Sequence, residues 1–103
     1  MKQVDLAESR RKLDEIDQKI VELFEERMKI CEDVAAFKIA TGKAVYDPER
    51  EKAKLEAVAS LAHTEFNQEA VKQLFEEIMS LSKCYQRRLM EEKDAGDTEK
   101  GQN

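Results

Sequence analysis

The chain has no tryptophan, one proline and three glycines, and only 6% of its residues are aromatic. With so few residues that stop a helix or take a left-handed backbone, a fold of many tight turns and short strands is excluded, and a nearly all-helical chain is expected. Few aromatics, in a chain of 103 residues that is 41% hydrophobic, limit the core that a single copy can build. Such a chain is expected to pool its apolar surface with a second copy. No run of residues is apolar enough to cross a membrane and none reads as a secretory signal, so no membrane partner is expected and the expected location is the cytoplasm. A basic surplus is missing too: the net charge is -5, which argues against a general nucleic-acid binder while leaving room for a local basic pocket. The two cysteines, Cys31 and Cys84, lie on predicted helix faces rather than at a metal-ligand or disulfide spacing, and are expected to be buried thiols. The single histidine, His63, falls in a predicted turn without neighbours that would make it a base or a ligand.

What the sequence does have is helical periodicity. From Leu6 to Ala40 nothing interrupts a helix, and Leu13, Ile16, Ile20, Leu23, Ile30, Val34 and Phe37 recur in steps that follow one face. Val21, Phe24, Met28, Cys31 and Ala35 run beside them and widen that face. Gly42 then supplies the usual stop. Asp47-Pro48-Glu49 reads as the start of a second helix, with Asp as cap, Pro in the first turn and Glu at the positive end of the dipole. That helix reaches about Leu61. A third helix is expected from a cap at Asn67 to about Glu92, on Val71, Leu74, Phe75, Ile78, Leu81, Tyr85 and Leu89. The fold class is therefore all-α, with a long first helix, a short second and a long third in one domain over residues 1–92. Residues 93–103 are polar and are expected to be a disordered tail or linker.

Polar residues interrupt these stripes. Arg27 occupies a rung of the first ladder, between Leu23 and Ile30, where a cation needs an anionic partner. Lys38 lies about 20° around the helix from Arg27 and roughly 16 Å along it, so both can close on one ligand. Arg10 is about 25 Å from Arg27 on the same helix, too far to join them. If two copies of the first helix cross antiparallel near residue 23, Arg10 of one lies opposite about position 36 of the other, between Arg27 and Lys38. On the second helix Glu51 stands on the face of Leu55, Val58 and Ala62, with Arg50 beside it. On the third, Ser82 and Gln86 lie one turn apart where the apolar line of Phe75 and Met79 turns polar.

Singly, each feature has an ordinary explanation. Arg27 can snorkel to a neighbouring acid, Lys38 suits a helix C-terminus, Asp47 with Pro48 is a helix start, and Glu51 is a first-turn acid. Together they describe a pocket with several cations, one carboxylate and two neutral hydrogen-bonding groups. It has no activated nucleophile, metal-ligand cluster or glycine-rich phosphate loop. Such a pocket suits a small, multiply charged anion.

The pattern Arg10-x-x-Leu13-x-x-x-Asp17, Glu26-Arg27, Lys38, Asp47-x-x-Arg50-Glu51 and Ser82-x-x-x-Gln86, over about residues 6 to 90, resembles the all-helical chorismate mutases of the AroQ class. The resemblance implies an intertwined antiparallel homodimer with two equivalent sites, and conversion of chorismate to prephenate on the way to phenylalanine and tyrosine, without a cofactor or metal. It further implies that Arg27 and the other copy's Arg10 grip the two substrate carboxylates, assisted by Arg50 and Ser82. Lys38 and Gln86 would donate to the ether oxygen, and Glu51, with the backbone at Asp47, would hold the ring hydroxyl. An isochorismate-pyruvate lyase on the same fold is the nearest rival enzyme. A non-catalytic helical dimer whose seam arginine fixes register is the rival from another class.

Overall fold

The structure, a computed structural model, describes residues 4–101 and the side chains of residues 4–94. Three α-helices follow one another: α1 over Leu6–Thr41, α2 over Pro48–Ser60 and α3 over Glu65–Gly101. No strand occurs among the described residues, as the shortage of turn-forming residues implies. The chain divides into two compact units, one up to Ile30 and one from Cys31 onward.

The first unit is the larger part of α1. Asp5 starts it, its carboxylate accepting from the backbone of Ala7 at 3.0 Å and of Glu8 at 3.3 Å, which satisfies two of the donors a helix leaves open. Arg11 reaches Glu8 and Glu15 on the same helix surface. These exposed pairs, screened by water, support the helix only weakly. The apolar ladder is uncovered: Leu13 is 56% exposed and Ile20 58%, and Leu6, Ile16, Val21, Leu23 and Ile30 are also exposed. Phe24, Arg27 and Met28 are half-buried.

The second unit joins the last turns of α1 to α2 and α3. Its core is small: Cys31, Ala35, Val58 and Ala59 are the buried apolar side chains, and the polar Ser82 and Gln86 are buried beside them. Ala35 is 1% exposed. The Tyr85 hydroxyl donates to the Glu32 carboxylate at 2.6 Å. That bond, helped by lesser desolvation and the negative charge of Glu32, holds the tyrosine's pKa above its ordinary value. Between α2 and α3, Val58, Leu61, Ala62, Val71 and Phe75 line a shallow apolar groove of about 240 Å³. Cys84, expected to be buried, is exposed. It sits two positions from both Ser82 and Gln86, and so on the opposite side of α3 from those buried residues.

Two helix ends differ from expectation. α3 is capped by Thr64, not Asn67: the Thr64 hydroxyl accepts from the Asn67 backbone at 3.1 Å, and its carbonyl starts the intrahelical ladder by accepting from Gln68 at 2.9 Å. With Glu65 in the first turn, this satisfies the open donors one turn earlier. At its other end α3 runs past Glu92, where its apolar pattern fades, through Lys93 to Gly101. Fading of the apolar pattern ends packing, not helicity, and this segment has no proline to stop the ladder. Gln102 and Asn103, the end of the tail expected from the sequence, lie outside the described residues. Thr64→Ala is therefore expected to lower the unfolding free energy by about 1 kcal/mol. Asn67→Ala should change it by less than half as much, as urea unfolding at one protein concentration would measure.

Candidate functional site

The stop that ends α1 also positions its last cation. Gly42 takes φ 72, open to glycine at little cost, and the Lys43 backbone donates back to the Lys38 carbonyl at 3.1 Å. The chain turns there, so that the Lys38 ammonium meets the connection it has just left: Nζ donates to the Val45 carbonyl at 3.0 Å. It also donates to Gln86 Oε1 on α3 at 3.2 Å. Lysine has three donors and no acceptor. Gln86 must therefore present its oxygen to Lys38, which leaves its Nε2 donor for another partner, and Lys38 keeps one N–H beyond the two engaged. Gln86 is 6% exposed and Lys38 half-buried, so these donors sit where water competes weakly. This juxtaposition joins residues 48 positions apart.

A second set of contacts closes around the start of α2. Asp47 is its N-cap, accepting from the Arg50 backbone at 3.1 Å, and Pro48 opens the first turn. Asp47 and Arg50 are exposed, while Glu51, one position on, is half-buried. The carboxylate that looked out of place among Leu55 and Val58 has a partner: Lys83 Nζ on α3, 3.1 Å from Glu51 Oε1. The same ammonium lies 4.7 Å from the centre of the Tyr46 ring, in the connection before α2. Ser82, 7% exposed, precedes Lys83 on α3, and its hydroxyl donates to the Ile78 carbonyl at 2.9 Å.

Lys38, Asp47, Arg50, Glu51, Ser82 and Gln86 thus belong to one unit, linked through Val45, Tyr46 and Lys83. Arg10, exposed, and Arg27, half-buried, stand on the part of α1 that forms the other unit. Sequence reasoning missed Lys83 and the Val45 carbonyl. A backbone acceptor leaves no trace in residue types. Lys83 did leave one: it lies one turn after Met79 on α3, a cation at the edge of a buried line, as Arg27 is on α1. Chemically, the Lys38 and Gln86 pair offers donors to a point of negative charge, and Glu51 offers an acceptor. Among the described residues no three His, Cys, Asp or Glu side chains come together as metal ligands.

Residues 9–87 match the family described as chorismate mutase type II. A chorismate mutase of Methanocaldococcus jannaschii is 36% identical over 88 residues, which cover 84% of this chain and 89% of that protein. A bifunctional chorismate mutase/prephenate dehydratase of Pseudomonas aeruginosa is 40% identical over 76 residues, covering 69% of this chain and 21% of the longer protein. The family match spans α2 and most of α1 and α3, and takes in every candidate site residue. This chain belongs to the chorismate mutase type II family.

Proposed function

We infer that this protein is a chorismate mutase, an isomerase that converts chorismate to prephenate. The observation that carries the assignment to this site is the contact of Lys38 with Gln86, which brings two hydrogen-bond donors from different helices to one half-buried place. In the Claisen rearrangement one C–O bond breaks as one C–C bond forms within the same molecule, with no proton transferred and no covalent enzyme intermediate. What a protein supplies is orientation of a dianion and stabilisation of charge growing on the ether oxygen. Lys38, with its third N–H, and Gln86, through Nε2, donate to that oxygen. Because Lys38 is already held by Val45 and Gln86, the donors need little rearrangement as the charge develops.

The remaining roles extend this reading. Arg27 grips one substrate carboxylate and Arg10 of a second copy the other, with Arg50 and Ser82 assisting; the Ser82 hydroxyl exchanges its bond to the Ile78 carbonyl for the carboxylate. Glu51 and the backbone at Asp47 hold the ring hydroxyl. The second copy is supported by the uncovered ladder on α1, since a lone helix has nothing against which to bury Leu13, Ile16, Ile20 and Leu23. Each such side chain is worth about 1.5–3 kcal/mol when fully taken out of water. An antiparallel pairing of two α1 helices covers these ladders and brings Arg10 toward the site of the opposite chain.

Lys38→Ala is expected to lower kcat by about 100- to 1,000-fold, the loss typical of one oxyanion donor, while far-UV circular dichroism stays helical. Turnover near that of the unaltered protein would remove Lys38 from the reaction. Purified protein is expected to form prephenate from chorismate, and not to form salicylate and pyruvate from isochorismate; the reverse outcome makes it a lyase. In the shared-site dimer, Arg10→Ala and Arg27→Ala homodimers are each nearly inactive. Mixing them leaves one intact site in each heterodimer and restores activity. Confirmed heterodimers without activity would rule out a shared site.

A further inference from the structure

We propose that Lys83 is a positioning residue for the substrate's ring hydroxyl, acting through Glu51; this rests on the chorismate mutase reading above. Its ammonium is 3.1 Å from Glu51 Oε1, and both side chains are 23% exposed, so the pair is only partly screened by water. The hydrogen bond engages one carboxylate oxygen and leaves Oε2 to accept from a ligand. A glutamate has three side-chain torsions, and on a face shared with Leu55 and Val58 the Lys83 bond is what ties its carboxylate down among the described residues. A charge-assisted bond to a fixed lysine selects one arrangement.

Lys83 is itself fixed. Its ammonium rests 4.7 Å from the centre of the Tyr46 ring, and its backbone follows the buried Ser82 on α3. One charge therefore ties together the connection before α2, the first turn of α2 and the stretch of α3 that carries Ser82 and Gln86. Each of these segments holds a residue assigned to the reaction. A surface ion pair with no such role would sit at any exposed edge of the helices and contribute little. This one orients the carboxylate assigned to the substrate hydroxyl.

The test compares kcat/KM for prephenate formation in the unaltered protein, Lys83→Met, Lys83→Arg, Glu51→Gln and the Lys83→Met/Glu51→Gln double variant, at a temperature where circular dichroism shows all of them folded. Lys83→Met is expected to lower kcat/KM about tenfold, and Lys83→Arg to retain most of it. In the Glu51→Gln background, Lys83→Met should change it less than about twofold, because the group it positions is gone. If the methionine variant does not fold, Lys83→Gln takes its place in the same cycle. An unchanged or raised kcat/KM for Lys83→Met overturns the proposal. So does an equal loss in both backgrounds, which would mean that Lys83 acts independently of Glu51. Absence of prephenate with the unaltered protein instead overturns the chorismate mutase reading itself, before any variant is compared.

Discussion

The ammonium of Lys38 is the point on which the second unit depends. It is attached to α1, accepts the turn made by Gly42 as its own geometry, holds the connection through the Val45 carbonyl, and reaches α3 through Gln86. A lysine so placed cannot be treated as a surface charge that happens to lie near a site. Its two hydrogen bonds fix the end of α1 against the start of the connection and against α3, and the remaining donor is preset by the same restraint. Structural restraint and electrostatic readiness are one arrangement here, in keeping with catalysis that works by preorganised charge rather than by moving protons.

A different constraint governs the first unit. A single helix can satisfy its backbone hydrogen bonds and still leave its apolar stripe in water, so helicity and burial are separate questions. The part of α1 up to Ile30 answers the first by itself, with Asp5 as its cap and Arg11 bridging two acids. The second is answered by the proposed pairing of two chains. On that reading the same stripe that draws two copies together also carries Arg27, and register of the helices and register of the site are set by one set of contacts.

Much of this was legible in the residues. The extent of α1 followed from uninterrupted periodicity and from Gly42, and the start of α2 from Asp47 and Pro48, because these are local effects that act within a few residues. The start of α3 was misplaced by one turn, because Thr64 and Asn67 are both competent caps and only the backbone geometry chooses between them. Its end was misplaced because an apolar pattern reports burial, which stops where packing stops, whereas the backbone ladder runs on. Cys84 was misassigned for a related reason, since its place around α3 depends on which neighbours are buried. The contact of Lys38 with Gln86 was foreseen only as a shared target, through family resemblance. The pairing of Glu51 with Lys83, 32 positions away, was not foreseen, because an ion pair between helices depends on how they pack and not on spacing within either one.

The burial of Ser82 and Gln86 has a consequence for how this protein tolerates change. In most domains the best-packed positions are apolar and the reactive ones lie at the rim, so a designer can harden the core and leave the chemistry alone. Here Ser82 and Gln86 are as enclosed as Val58 and Cys31. An alanine at Ser82 would take a hydroxyl out of a buried setting, the kind of replacement that can raise thermal resistance, whereas the same change at Gln86 would take an acceptor from Lys38. On the proposed reading, either change would also remove a donor from the reaction. On that reading the buried serine is a place where robustness is exchanged for turnover, and selection for durability alone would push this fold toward an inert bundle.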